Sequence, residues 1–390
     1  MVAITVRIFY AVFSTFYPFY GRMGSANRKT IYGAASHMEK KKRIKYYDLL
    51  RIMSFCMVIF YHMVVQLEVL GICPPEKTAP VYMNTNMHLG MISVAVFFML
   101  SGAGLTLSAS KDFSLKKYYT GRFFRLLVPF YVAVLLYYGY SLIVNQYLPF
   151  SFREGVPAWR YIFTVLGMDE WVAMHNYPTF TCSIGEWFLG LLLILTVLFP
   201  LFWKLMNKFP KAFLAVSACV YVYFLYNYPL SIPMHMSLPV KGFEFILGMY
   251  FAKYCKEFPK YLRIAAVPVA FFFFVSKTCW NINYALKITI FAAALFIAVS
   301  GLEEVLQKRP LRGLEFVNRY SYHLFLVHHV VIYAMTPHFA SYYTGLGSVI
   351  VFFLMELLVM VICTIAVKLL SDLIVRLARP AKKASTPAKA

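Results

Sequence analysis

YYDLLRIMSFCMVIFYHMVV, residues 46–65, runs for twenty positions with one aspartate, one arginine and one histidine in an otherwise largely apolar stretch. About twenty such residues carry an α-helix across the hydrocarbon core of a bilayer, so the segment predicts a transmembrane helix. Arg51 and His62 are eleven residues apart. At 100° per residue that spacing is three turns plus about 20°, which puts both side chains on one helix face roughly 16 Å apart along the axis. An arginine near one surface and an imidazole about midway into the bilayer are costly in hydrocarbon, and such residues mark functional sites. The plainer reading is an arginine that snorkels to the headgroups and a histidine that is hydrogen-bonded in packing.

Outward from this stretch the same character persists. Apolar residues make up 61% of the 390 positions and charged residues 14%, against about 25% charged in soluble domains. The apolar runs are continuous rather than alternating, which excludes a transmembrane β-barrel. The chain therefore reads as all-α, a polytopic transmembrane bundle of about ten spans. These fall near 48–70, 89–109, 123–146, 184–206, 211–229, 238–256, 262–279, 285–302, 318–336 and 347–375, the segments at 211–229 and 262–279 being the shortest. Residues Trp159–Val172 are too short and broken to span and suit the interface.

Charge placement orients this layout. With the N-terminus inside, 26 lysines and arginines fall in inner segments, while the outer segments hold only Lys77, Arg153, Arg160, Lys241, Lys277 and Lys287. That asymmetry follows the positive-inside rule and predicts both termini in the cytoplasm of a cell (inner or plasma) membrane protein. It also accounts for the net charge of +22 as anchoring to anionic lipid of the bilayer, with no nucleic-acid partner required. Cys73 and Cys182 lie in outer loops where a disulfide is conceivable, but the seven cysteines show no C-x-x-C pairing and read as free thiols. Residues 1–37 read as an N-terminal extension or interfacial segment, with Met38 and its basic flank resembling a natural start. Residues 38–376 form the membrane domain and 377–390 a basic cytoplasmic tail.

Several further residues carry possible chemistry. Ser101, Gly102 and Gly104 notch the second span; small residues let helices approach closely, and the same notch suits passage of a narrow acyl or pantetheine chain. Arg122 and Arg125, three apart, share a face at the start of the third span, where two guanidinium forks suit a phosphate-rich ligand. They are also what the inner boundary supplies anyway. Pro129 just beyond predicts a kink with a freed carbonyl. Glu186 opens the fourth span beside Trp187, which reads as an interface anchor. Glu186 is a carboxylate placed to orient His62 or to meet a sugar hydroxyl, whereas Glu244 and Glu356 are further intramembrane acids. His323, His328 and His329 lie on the ninth span, one of the adjacent pair suited to a polar cavity and the other to packing. Their spacing along one helix is not that of a zinc site, so no metal is expected.

Taken in order, KKRIKYYDLLRIMSFCMVIFYHM, AVFFMLSGAGL, GRFFRLLVPFY, GEWFLGLLLILTVLFPLF, FEFILGMYFAKY and SYHLFLVHHVVI make the chain resemble the integral membrane acyltransferase family 3, over about residues 40–375. That family includes bacterial O-acetyltransferases of surface polysaccharides. The resemblance implies transfer of an acyl group, usually acetyl from acetyl-CoA, to a hydroxyl of an extracytoplasmic glycan or lipid-linked sugar acceptor. It implies His62 as general base and Arg122, Arg125 and Arg51 as holders of the acyl-CoA phosphates. The short Glu186-Trp187 signature and the absence of a following esterase-like segment favour the stand-alone subtype. The rival class is a proton-coupled secondary transporter or lipid-linked sugar flippase, against which stands the lack of an internal repeat.

Overall fold

The computed structural model describes residues 43–73, 83–84, 87–109, 113–146, 155–180, 184–255, 257–275, 282–309, 312–343 and 345–378. The expectations for residues 1–37, for Cys182 and Cys279, and for most of the basic tail lie outside the described residues. Cys56, Cys73, Cys219, Cys255 and Cys363 are free thiols.

Among the described residues ten long helices stand where the apolar runs predict them: α1 Lys45–Val69, α2 Leu89–Ser108, α3 Leu115–Val144, α4 Glu186–Lys208, α5 Pro210–Tyr226, α6 Leu238–Tyr254, α7 Lys260–Val275, α8 Tyr284–Ser300, α9 Arg312–Met335 and α10 Leu346–Ala378. Six of them, α1 to α4, α9 and α10, are long and apolar enough to cross a membrane. The other four run only 16 or 17 residues. At 1.5 Å per residue they are about 25 Å long, short of a hydrocarbon core of roughly 30 Å. The expectation of ten full spans is thus met in position but not in length. Trp159–Val172 forms only a 3₁₀ turn and two five-residue helices, Tyr161–Val165 and Asp169–Ala173, as its broken pattern predicts. A two-residue antiparallel ladder pairs Met83 with His88 and Asn84 with Met87 before α2.

Two contacts set the frame around the site. α2 and α6 cross at a reciprocal pair of glycines. A Cβ on Gly102 would lie 2.0 Å from the Phe245 carbonyl oxygen, and one on Gly248 would lie 1.9 Å from that of Met99. The backbones touch, as small-residue crossings allow. Ser101 bonds its own helix at the Phe97 carbonyl, 2.7 Å away. α6 therefore occupies the notch at Gly102, while beside Gly104 the space is open.

α1 and α9 lie side by side and run the same way. Arg51 Nη1 donates to Asn318 Oδ1 at 2.8 Å, and the rings of His62 and His329 sit 4.8 Å apart between centroids; each pair is separated by 267 positions. Equal offsets three turns apart mean two parallel helices in constant register. Glu303, in the short helix Glu303–Lys308, caps α1 through the Lys45 and Tyr46 amides at 3.2 and 2.8 Å. Its carboxylate suits the positive end of the helix dipole.

Candidate active site

Each polar side chain of the site is delivered by a different device. His62 comes from the straight, apolar α1, about 10 Å short of its C-terminal end at 1.5 Å per residue. It thus lies nearer that end than the midpoint expected. Glu186 is the first residue of α4 and is turned inward by an unusual backbone: Gly185 has φ +84° and Glu186 has φ +47°. Left-handed conformations are rare for a non-glycine residue and cost about 1–3 kcal/mol, which the surroundings must impose. At Gly185 a side chain is doubly excluded, since its Cβ would also meet Leu189 Cδ2 at 2.5 Å. The strain aims a carboxylate at α1 and α9.

Around Glu186 Oε1 stand three imidazoles. His62 Nε2 is 3.5 Å away, His328 Nε2 3.7 Å and His329 Nδ1 3.8 Å. The His62 ring lies edge-on to both neighbours, with centroids at 5.3 Å to His328 and 4.8 Å to His329. None of these approaches is a formed hydrogen bond: Glu186 Oε1, His328 Nε2 and His329 Nδ1 are buried without a partner. Such unsatisfied groups are uncommon in native interiors and call for an explanation. His328 Nδ1 lies 2.6 Å from the Phe325 carbonyl, which can only accept, so Nδ1 carries a proton and, in the neutral ring, Nε2 is a bare lone pair.

Two cavities reach this cluster from different members. One, of about 130 Å³, is lined by His62, Glu186 and His328 together with Trp187, Phe97 and Met236. The other, of about 390 Å³, is lined by His329, Tyr333, Asn145 and His338. It shares Tyr137, Tyr140, Val330 and Ala334 with an apolar cleft of about 180 Å³ between α3, α9 and α10. Trp187, expected at an interface, is 7% exposed and forms a wall of the first cavity.

The remaining predicted residues stay apart from the cluster. Arg51 is held by Asn318 and sits 3.7 Å from Asp48 Oδ1, three turns along α1 from His62. It ties α1 to α9 rather than joining the histidines. Arg122 is half-buried with its guanidinium 5.5 Å above the Tyr118 ring, and Arg125 is exposed. Both flank or enter a five-residue π turn, Phe123–Leu127, immediately ahead of Pro129. Proline removes one backbone donor there, and Tyr322 of α9 donates to the Leu126 carbonyl at 2.8 Å. Glu244 is paired with Lys241 at 2.9 Å, and both are fully buried. Lys241 is therefore a core residue of α6, not the outer-segment charge expected, and Lys287 is likewise buried in α8. Glu356 accepts from Thr336 at 2.6 Å. His323 is buried and does not reach Glu186.

The role of His328 and His329 together is what the sequence reading missed. The signal exists, since Asn318 and His329 repeat on α9 the eleven-residue spacing of Arg51 and His62 on α1. It becomes meaningful only once the two helices are known to pair.

A bundle of apolar helices with a strained carboxylate facing three histidines defines a membrane protein with a polar chamber. The family model described as the acyltransferase domain of acyltransferase family 3 matches residues 44–370, and the chain belongs to that family of membrane acyltransferases. No curated protein and no solved structure matches the chain.

Proposed function

We propose that the protein transfers an acyl group, acetyl by resemblance, from cytoplasmic acyl-CoA to a hydroxyl of an extracytoplasmic glycan or lipid-linked sugar, with His62 as general base. The observation that carries this reading is the approach of His62 Nε2 to Glu186 Oε1 in a cavity wall. A carboxylate facing one ring nitrogen holds the proton there and leaves the lone pair on the other, the arrangement that orients a catalytic imidazole. Nε2 then keeps its hydrogen toward Glu186, and Nδ1 takes the acceptor's proton. The hydroxyl oxygen attacks the thioester carbonyl, a C–O bond forms, the C–S bond breaks, and the departing thiolate takes the proton from His62. Glu186 steadies the imidazolium in between. A histidine suits the task because its ordinary pKa is nearest neutral pH.

Arg122 and Arg125 hold the CoA phosphates in this reading. The π turn supports it, since such turns recur at functional sites in helices. Ten membrane-crossing segments with both termini cytoplasmic complete the proposal. Three observations favour them: the ten helices in the expected places, the parallel course of α1 and α9, and the charge asymmetry. That asymmetry sharpens once the buried Lys241 and Lys287 are taken out of the outer segments. The four short helices would then cross through locally thinned bilayer or protein-lined interior.

The test is CoA release from acetyl-CoA by purified protein in lipid nanodiscs with mixed envelope glycans present, wild type beside His62→Ala. Release that depends on His62 is expected. No release from either protein, together with no binding of acetyl-CoA, overturns the reading.

A further inference from the structure

The four polar groups of the chamber do not balance as they stand. In its neutral form His328 presents a bare Nε2 to the Glu186 carboxylate at 3.7 Å, so two lone pairs face each other. His329 Nδ1 is likewise buried and unpartnered 3.8 Å from the same oxygen. A positive species between these groups would satisfy them all at once. Either a proton or a metal ion has the right sign; at 3.5 to 3.8 Å from Glu186 Oε1 the ring nitrogens lie beyond ordinary hydrogen-bond distance, a gap that an ion can span.

His62, Glu186 and His329 each offer one ligand atom, and these atoms all lie within 4.8 Å of one another. A tetrahedral ion with bonds of about 2.0–2.1 Å needs its ligands roughly 3.4 Å apart. Two of the edges, at 3.5 and 3.8 Å, are already close to that length. The third ligand pair, within 4.8 Å, must close by up to about 1.4 Å, a side-chain adjustment. Two imidazoles and a carboxylate select a borderline ion such as Zn²⁺ or Co²⁺ over Mg²⁺ or Ca²⁺, which prefer all-oxygen sites. His328 Nε2, 1% exposed and 3.7 Å from Glu186 Oε1, is not among the three atoms within that mutual distance, and as the fourth ligand it must move toward them. Its Nδ1–H bond to Phe325 is the outer-shell contact that ligating histidines carry. The three α-helices that supply the groups have no such pattern individually, which is why the spacing along α9 argues against a metal.

We infer that His62, Glu186, His328 and His329 form a binding site for a divalent ion of the Zn²⁺ class, and that its occupancy shuts off acyl transfer. The inhibitory half rests on the reading of His62 as base. A neutral imidazole has one lone pair; an ion on Nε2 forces the proton onto Nδ1, so the base is lost. A site closed by four protein ligands also has no open position for a substrate. The larger cavity, lined by His329, adjoins the cluster on a second side.

The experiment is titration of tag-free protein in nanodiscs with Co²⁺, followed by visible absorption, with Zn²⁺ as competitor. The same Zn²⁺ series is run in the CoA-release assay, with a chelator added back. One equivalent of Co²⁺ with the intense band of tetrahedral coordination, displaced by Zn²⁺, is expected. His329→Ala and His328→Gln should each weaken binding about tenfold or more, whereas the exposed His338→Ala should not. Zn²⁺ should abolish CoA release and the chelator restore it. Only the faint band of octahedral Co²⁺, or binding unchanged in both chamber variants, overturns the site. Tight tetrahedral binding that leaves transfer untouched overturns the inhibition. Tetrahedral binding in a protein that never releases CoA supports the site and removes the role of His62 as base.

Discussion

Two carboxylates sit deep in this bundle with basic partners, and they are treated in opposite ways. Glu244 of α6 receives Lys241 Nζ at 2.9 Å and Thr289 Oγ1 at 2.8 Å, and Tyr221 of α5 donates to Thr289 at 3.0 Å. Both members of that pair are fully enclosed. Each has a bonded partner, no described cavity touches them, and the network joins α5, α6 and α8. Glu186 has more potential partners and no finished bond to any of them, and a cavity opens on it. A saturated polar cluster has already used its bonding capacity on the fold. An unsaturated one, kept in place by a strained backbone, retains that capacity for something that arrives later. The two clusters differ in burial, 0% exposed for Lys241 and Glu244 against 16% for Glu186, and above all in completeness.

The contrast can be broken by mutation, and the largest effect belongs to the unfinished cluster. His62→Ala is expected to lower acyl transfer by about 10²- to 10⁴-fold, the usual worth of a positioned general base, while the thermal unfolding midpoint stays near that of the wild type. A collapse of the midpoint alongside activity would make His62 a packing residue. The finished cluster should behave in reverse. Lys241→Met strands Glu244 in the interior and should cost about 3–5 kcal/mol of stability. The double variant Lys241→Met/Glu244→Leu should recover most of that loss, as read by denaturation in detergent. If the single variant is silent, the pair is not the structural element described here.

Smaller effects sharpen the same division. Arg122→Ala with Arg125→Ala is expected to raise the KM for acetyl-CoA about tenfold or more, since charge-assisted bonds are worth roughly 1.5–3 kcal/mol each, with kcat little changed. An altered kcat at unchanged KM would place these arginines elsewhere in the reaction. Gly102→Ala, whose new methyl would meet the Phe245 carbonyl, should cost about 1–3 kcal/mol by forcing α2 and α6 apart. Equal stability in that variant would show that the crossing relaxes easily.

What the sequence makes legible follows from the reach of each signal. The ten helices are read well because apolar runs are local, and His62 is singled out because an imidazole in such a run is costly. Glu186 is suspected for the same reason. The partnership of Glu186 with His328 and His329 is invisible, because it joins segments more than a hundred residues apart that meet only through packing. Lys241 is misread for a related reason. Counted by loop it is an outer charge, yet Glu244 three residues on gives it a partner inside α6. Trp187 is misplaced because tryptophan is as suited to a cavity wall as to a headgroup layer. Gly102 carries two compatible readings, and the helix crossing becomes visible only with the backbone of α6 in place.

The constant offset between α1 and α9 has one more consequence, concerning what changes of length the chain can tolerate. Arg51 with Asn318 and His62 with His329 act as two rungs of one ladder. A residue inserted between the rungs on either helix leaves the first in place and swings the second through 100°. The imidazole would then face away from Glu186, although every residue of the chamber was still present. Ten residues stand between the rungs on each helix, and that number is fixed whatever their identity. The distance between the Arg51–Asn318 contact and the histidine cluster is thus written into the chain as a count.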